Sequence, residues 1–357
     1  MPNTVRWQWL PGLLAAAAAL AGCGQAASQS ATSAVSSGAS ARPESQPAAV
    51  STSSRTVHLA WTSNAMGLML WPLANDAGYF AKYGLNVSLS FVNGSAAAVA
   101  SLLAGELDAA DMAGSSMPGA VTNGADLVMP VGFNSQGYFR LMAVPQIHSL
   151  QDLKGKTVAI TRQGDSSDQN WQGVRQYLGW QPQDVKVVAG GSQAGQIALM
   201  QKGEAQAGPF TVPNNILAQE AGAHEIFDGS QLKMADQGPG MVLTRRYLSA
   251  NRPVVLSLAK ASIEAMARWK KDPEFTKAVL RKYLKTDDSA FIDEGYKAYT
   301  LAWPEVPYPS AEGLAVDIRQ SSAENEKVAQ LRPEQLMDTT IVKELVDSGF
   351  IKQIYGG

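Results

Sequence analysis

From residue 57 onward, short apolar runs alternate with amphipathic stretches. Residues 57–61, VHLAW, predict a buried strand. Residues 66–80 predict a helix, with Gly84 marking the turn after it. A second strand follows at 87–91. Asn93-Gly94-Ser95 then opens an Ala-rich helix that ends at Gly105. A third strand at 108–112 leads into Gly114-Ser115-Ser116 and another helix, and a fourth lies at 127–133. Apolar strands alternating with helices predict βα units and a parallel sheet.

The same grammar returns later in the chain. Residues 185–188 form a strand pattern, and Gly190-Gly191-Ser192 opens a helix that closes with Leu199-Met200-Gln201-Lys202-Gly203-Glu204-Ala205. The first copy closes with Leu102-Leu103-Ala104-Gly105-Glu106-Leu107. Each copy then enters a short strand, at 108–110 or 206–208. Strand, Gly-Ser turn, helix, Gly-Glu turn, strand therefore occurs twice, which predicts one such unit in each of two similar lobes. Helices over 253–355, including an amphipathic stretch at 254–269, are expected to pack around the first lobe.

Residues before 56 read differently. A single cation, Arg6, precedes an apolar run over 10–21 that is too short for a comfortable membrane span. The run ends in Leu20-Ala21-Gly22-Cys23, which resembles a lipobox, so 1–22 is expected to be a lipoprotein signal peptide. That resemblance implies a mature chain beginning at Cys23, acylated there and held to a membrane outside the cytoplasm. Residues 24–54 are mostly Ala, Ser, Gln, Thr, Gly and Pro with few larger apolar residues, and 23–54 is expected to be a lipidated cysteine followed by a disordered tether.

Charge and cysteine content narrow the chemistry. The formal net charge is −2, and losing Arg6 with the leader makes it one unit more negative. A near-neutral chain lacks the basic stripe that duplex binding needs, so no nucleic-acid partner is expected. Cys23 is the only cysteine, which excludes an internal disulfide and, once it is acylated, thiol catalysis. His58, His148 and His224 show no metal-ligand spacing, and neither a Walker loop nor a nucleophile elbow is present. No cofactor or metal is expected.

Glycine at a helix entrance lets a ligand approach the backbone, free N–H groups point outward there, and serine adds a hydroxyl. Gly94-Ser95, Gly114-Ser115-Ser116, Gly164-Asp165-Ser166-Ser167 and Gly191-Ser192 all fall at such places. Each pair is equally an ordinary helix cap; together they suggest a common cleft.

Several further stretches carry a family resemblance: Ala77-Gly78-Tyr79-Phe80 with Tyr83-Gly84-Leu85-Asn86-Val87, the 102–110 segment, and Asp152-Leu153-Lys154-Gly155-Lys156-Thr157-Val158-Ala159. Val306-Pro307-Tyr308-Pro309, Asp338-Thr339-Thr340 and Ser348-Gly349-Phe350-Ile351 complete the series. In this order the chain resembles the solute-binding proteins of ABC importers in the nitrate, sulfonate, taurine and thiamine-precursor group. The resemblance implies an α/β, type II periplasmic-binding fold of two lobes joined by a two-strand hinge. Lobe one is expected at 56–144 and 243–357, and lobe two at 145–242. It further implies a monomer that captures a small molecule and delivers it to an ABC permease with its ATPase. Some relatives on this fold are enzymes, a thiamine-pyrimidine synthase and a desulfinase among them. A solute-sensing lipoprotein would need the same cleft.

The positions matching the family's ligand loops are Ser63, Asn64, Trp71, Asn93, Gly94, Ser95, Gly114, Ser115, Ser116 and Asn134. From lobe two come Gly164, Asp165, Ser166, Ser167, Gly191, Ser192, Phe210 and Thr211. Ligand charge stays open at this stage. Helix N-termini favour an anion such as a sulfonate. Asp165 and Asp168 would repel one if they face the cleft, which would favour a neutral or cationic heterocycle; as helix caps they would not. Arg140, Arg162 and Arg175 are the candidate counter-charges.

Overall fold

A computed structural model describes residues 55–164 and 166–356. The expected leader, Cys23, the tether and Asp165 lie outside the described residues. Ten strands form two five-stranded sheets. The first contains β1 (Val57–Trp61), β2 (Val87–Phe91), β3 (Ala109–Ala113), β4 (Leu127–Gly132) and β10 (Pro239–Thr244), in the order β2-β1-β3-β10-β4. The second contains β5 (Phe139–Ala143), β6 (Thr157–Ile160), β7 (Lys186–Ala189), β8 (Ala207–Thr211) and β9 (His224–Asp228), in the order β7-β6-β8-β5-β9.

The two orders are the same pattern. In each sheet an outer strand, its inner neighbour and the next strand run parallel, and the fourth is antiparallel. The sequence repeat occupies equivalent places: β2 and β3 flank β1, while β7 and β8 flank β6. The connecting helices are α3 (Ser95–Ala104) and α6 (Gln193–Gln201). Gly105 and Gly203 end them at φ 75° each, a left-handed conformation that glycine adopts without a Cβ penalty.

Helices cover both sheets. Before α3 come α1 (Leu70–Asp76) and α2 (Tyr79–Lys82); between α3 and α6 come α4 (Met117–Thr122) and α5 (Ser166–Tyr177). The remainder are α7 (Asn215–Glu220), α8 (Arg245–Ala250), α9 (Arg252–Lys271), α10 (Pro273–Leu284), α11 (Ser289–Ala302), α12 (Ala311–Glu324), α13 (Thr340–Asp347) and α14 (Phe350–Tyr355). The single helix expected at 66–80 is broken. A 3-10 turn at Met66–Leu68 precedes α1, and Gly78 at φ 72° separates α1 from α2. The C-terminal helices pack on lobe one as expected. Val255, Leu258, Ile263, Met266 and Trp269 of α9 share a core with Leu70, Trp71 and Leu73 of α1.

The expected lobe boundaries shift at both crossings. β5, assigned to lobe one from sequence, pairs with β8 and β9 in the second sheet. β10, assigned to lobe two, pairs with β3 and β4 in the first. The reason is that each crossover lies before the strand taken as its end. The chain leaves the first sheet after Gly132 and returns to it at Pro239.

Strand directions then place the edges. β10 starts beside the end of β3, with Pro239 opposite Ala113, and the end of β4, with Gly240 opposite Gly132. β5 starts opposite the end of β8, with Phe139 facing Thr211. Both crossovers therefore join the carboxyl edge of one set of parallel strands to that of the other, and the two edges face each other.

The crossovers are tied together. Gln136 and Ala235 form an isolated antiparallel bridge, Asp236 N–H donates to the Ser135 carbonyl at 3.2 Å, and Gly137 N–H to that of Met234 at 3.1 Å. Gln237, 1% exposed, is the knot. Its Nε2 donates to the Asn134 carbonyl at 3.2 Å, and its Oε1 accepts the Ser310 N–H at 2.6 Å. Its own carbonyl accepts the Gly114 N–H at 3.1 Å. Removing a buried amide that satisfies several groups leaves each of them desolvated. Gln237→Ala is expected to lower the unfolding free energy by about 2–4 kcal/mol in urea melts. A loss below about 1 kcal/mol would show that the crossovers are held by their backbone bridge alone.

Candidate functional site

Loops at the two facing edges hold most of the residues expected from sequence. Half-buried Ser63 and exposed Asn64 follow β1; Asn93, Gly94 and Ser95 follow β2; Gly114, Ser115 and Ser116 follow β3. On the opposite lobe, Gly164, Ser166 and Ser167 follow β6, Gly191 and Ser192 follow β7, and Thr211 ends β8. Asn134, 6% exposed, lies in the first crossover with its Oδ1 accepting the Gln136 N–H.

Several of these side chains are occupied by the fold itself. Trp71 is fully buried in the lobe-one core, where its indole N–H donates to Ser262 Oγ at 3.1 Å. Phe210 is likewise fully buried, among Met142, Ala159 and Met200. Neither ring reaches the cleft surface. Ser192 caps α6, its Oγ accepting the Gly195 N–H at 3.1 Å. Gly114 is enclosed: a Cβ there would stand 2.7 Å from the Gln237 carbonyl. Ser167 Oγ accepts the Thr161 N–H at 2.7 Å. Thr211 Oγ1 is met by Gln193 Nε2 at 2.6 Å and Asn214 Nδ2 at 3.1 Å.

The charged candidates resolve similarly. Asp168, 6% exposed, accepts the Gly164 N–H at 2.8 Å and Gln172 Nε2 at 3.0 Å, so it braces the turn into α5. Arg175 lies beside Asp168 in a side groove between α5 and β7, with Nη1 3.4 Å from the Trp180 carbonyl. Arg162 is exposed on the turn after β6. Arg140 is surrounded by acid. It pairs with Asp228, with Glu225 at 3.4 Å, and with Glu294 of α11 at 3.5 Å. The last pair joins the lobes, because α11 belongs to lobe one and also touches α7 of lobe two. Burial raises the Glu225 carboxyl and Arg140 pulls it back. With three carboxylates around it, Arg140 offers no free charge to an anion.

The crossovers supply residues that the sequence did not reveal. Asp236 is half-buried by exposed area, yet burial alone lifts its carboxyl to about 6. Around it are Asn134, whose Nδ2 and the Asp236 Oδ2 lie 3.0 and 3.3 Å from where a Gly238 Cβ would stand. Asn170 Oδ1 and the Asp236 Cβ flank Gly137 in the same way, at 3.9 and 4.0 Å. Tyr299 of α11 packs over Gly67, and burial, then the charge of Asp236, lifts its phenol to about 12. Behind, on α12, Asp317 is 3% exposed with Oδ2 unpartnered; burial, then Asp236, lifts it to about 8. The only local signal was the run Asp236-Gln237-Gly238-Pro239-Gly240, which reads as a turn rather than as a site.

Away from the cleft, the His148 and His224 rings lie 6.3 Å apart, a pairing their spacing did not show. They sit at the far end of lobe two. There a groove of about 920 Å³ opens among Val144, Ile147, Ile197, Met200 and Ala218. Among the described residues no group of three or more His, Cys, Asp or Glu is placed to hold a metal ion. No described helix is long and apolar enough to cross a membrane.

Two matching sheets joined edge to edge by paired crossovers define a two-lobed, hinge-joined periplasmic-binding fold. The chain belongs to the NMT1/THI5-like family, whose model matches residues 66–276, more than half of its length. No curated protein matches the chain in sequence. Its fold is that of the aliphatic sulphonate-binding protein SsuA from Escherichia coli, at 21% identity and TM-score 0.62 over 78% of this chain and 91% of that one. A periplasmic sulfonate-binding protein from Methylobacillus flagellatus is similar at 15% identity and TM-score 0.66, over 84% and 96%. The nitrate-binding protein NrtA from Synechocystis PCC 6803 is similar at 15% and 0.56, over 82% and 88%.

The buried carboxyls set a pH dependence. Asp317 stands at 3.8 when unperturbed and about 8 when folded. Between those values the native protein holds a proton that the unfolded chain has lost, so stability is full below the lower value and declines as pH rises through the upper one. Asp236 adds to the decline over the lower part of that window. Asp317→Asn is expected to flatten the fall in unfolding free energy between about pH 4 and about pH 8, by about 2–4 kcal/mol. Urea melts across that range check this; an unchanged slope would mean Asp317 is ionised in the folded protein.

Proposed function

We propose that this chain is the extracytoplasmic solute-binding component of an ABC importer. It closes two lobes on a small molecule and presents the closed form to a membrane permease and its ATPase. The observation that carries this reading is the facing of the two carboxyl edges across paired crossovers. Such a hinge binds by closing, because solute contacts to both lobes favour the closed arrangement. The fold shared with sulfonate- and nitrate-binding proteins supports it. In this reading the chain is not an enzyme. Its lipobox-like Leu20-Ala21-Gly22-Cys23 anchors it to a membrane through Cys23, and the Ala/Ser-rich segment behind it acts as a leash.

Two measurements test this. A selectively bound solute at a hundred times its Kd raises apparent stability by about 2.7 kcal/mol and is recovered unchanged. Chemical turnover of every stabilising compound would instead favour an enzyme. Separately, Cys23→Ser is expected to release the protein from the membrane fraction and abolish palmitate labelling in vivo. Retention of both would remove the lipoprotein assignment.

A further inference from the structure

We propose that helix α11 latches the two lobes. The ion pair between Glu294 of lobe one and Arg140 of lobe two holds them in the arrangement of this structure, and its strength sets how readily they rotate against each other. The consequence for solute affinity rests on the receptor reading above; the latch itself does not.

Three observations carry this. First, each end of the pair is fixed in its own lobe. On α11, Ile292 is fully buried in the lobe-one core. Tyr296 stacks on Trp269 of α9, with 6.2 Å between ring centroids and 11° between planes, and Trp303, just past the helix, lies 4.5 Å from the same ring. Gly295 seats against Met66, where a Cβ would collide with the Met66 Cε. α11 therefore moves with lobe one. In lobe two, Arg140 pairs with Asp228 through Nη1 and with Glu225 through Nε at 3.4 Å, both on β9. A guanidinium is a rigid planar fork, so these two carboxylates fix where its remaining nitrogen points. Second, that nitrogen, Nη2, meets Glu294 Oε1 at 3.5 Å across the lobes. The Arg140 side chain is 13% exposed and that of Glu294 21%, so salt screens the pair less than one on the surface. Third, the pair belongs to a wider contact. α11 also packs on α7 of lobe two. Lys297 lies one turn beyond Glu294. Burial lifts the Glu225 carboxyl, and Arg140 and Lys297 draw it back down. α11 thus sets an acid and a base, one turn apart, against a base and an acid of lobe two.

A tie between two rigid bodies responds to their relative motion. At 3.5 Å the pair stands near the outer limit of direct contact, so a shift of about an ångström opens it. An interaction made in one lobe arrangement and lost in another enters the equilibrium between them in full. A solute shifts that equilibrium only by its own difference in affinity. Weakening the latch therefore changes how firmly any solute is held, without a contact to it. Asp293, the residue before Glu294, pairs instead with Lys277 of α10 at 2.8 Å, within lobe one. One of two neighbouring acids braces the helix in its own lobe, and the other reaches across.

The test uses the chain from Gly24 onward, which has no cysteine of its own. Ala104→Cys on α3 of lobe one and Gln176→Cys on α5 of lobe two, both exposed positions, carry spin labels. Distances between them are read by double electron–electron resonance without solute. The otherwise unchanged chain should centre on the distance of this structure. Glu294→Gln is nearly isosteric and leaves Arg140 two carboxylates. It should change the ratio of that population to the rest by about threefold to thirtyfold. About 1 M salt should move the wild type the same way and hardly move the variant. Asp293→Asn breaks the pair within lobe one and should leave the distances where they are. Distances that Glu294→Gln does not move, or that Asp293→Asn moves as much, would overturn the latch. So would a wild-type distribution centred elsewhere. Because no solute is needed, these results judge the latch whether or not the receptor reading holds. For a solute that stabilises the wild type, Glu294→Gln should change Kd by a comparable factor; an unchanged Kd beside shifted distances would remove the link to affinity and keep the latch.

Discussion

The buried amide of Gln237 holds the point on which the two lobes depend. A chain that crosses twice between sheets must interrupt both hydrogen-bond ladders at the same place. The backbone groups released there are buried and need partners. Gln237 satisfies Asn134 in the first crossover and Ser310 at the entrance to α12, while its own carbonyl takes the Gly114 N–H at the exit of β3. Three distant segments are thereby set around one residue. The Val306-Pro307-Tyr308-Pro309 segment closes the same knot, since Pro307 accepts the Gly132 N–H and a Cβ on Gly132 would meet Pro309 at 2.8 Å. The hinge is thus stiff on its lobe-one side.

Acidic groups cluster around this knot with little to neutralise them. Asp236 lies within it, Asp317 behind it, and Asp111 of β3 is fully buried with both oxygens unpartnered. Burial raises all three carboxyls. None is explained by stability, because an uncompensated buried carboxyl is a net cost that an apolar residue would avoid. Asp317, lifted to about 8, escapes much of that cost by holding its proton at neutral pH. Asp236 is different in being only half-buried, the one of the three that still touches solvent.

How much of this was legible depends on whether the determinant was local. The sheet units were legible, because apolar runs and Gly-Ser turns are set by neighbouring residues. The repeat proved to occupy matching places in both sheets. The edge loops were legible for the same reason. The crossings were not: β5 and β10 swap sheets, and strand partners many residues apart leave no mark in a run of apolar residues. Trp71 shows a second limit. A tryptophan on a helix after β1 fits a stacking platform or a core position equally from sequence, and only the Ser262 hydroxyl on α9 decides for the core. Asp236 was hidden in a turn-like Asp-Gln-Gly-Pro-Gly run, and its burial arises only once the two crossovers come together.

Ligand charge shows why placement outweighs count. The sequence pointed to Asp165 and Asp168 as acids that would repel an anion; Asp165 lies outside the described residues, and the Asp168 carboxylate braces its own turn through Gly164 and Gln172. A capped carboxylate has its field largely met by donors at hydrogen-bond distance. Arg140, the natural counter-charge on β5, is likewise consumed by three acids and spends its charge holding β9 and α11. A shared fold does not transmit a shared ligand, because the fold places the edges and the side chains left unsatisfied at them choose what is held.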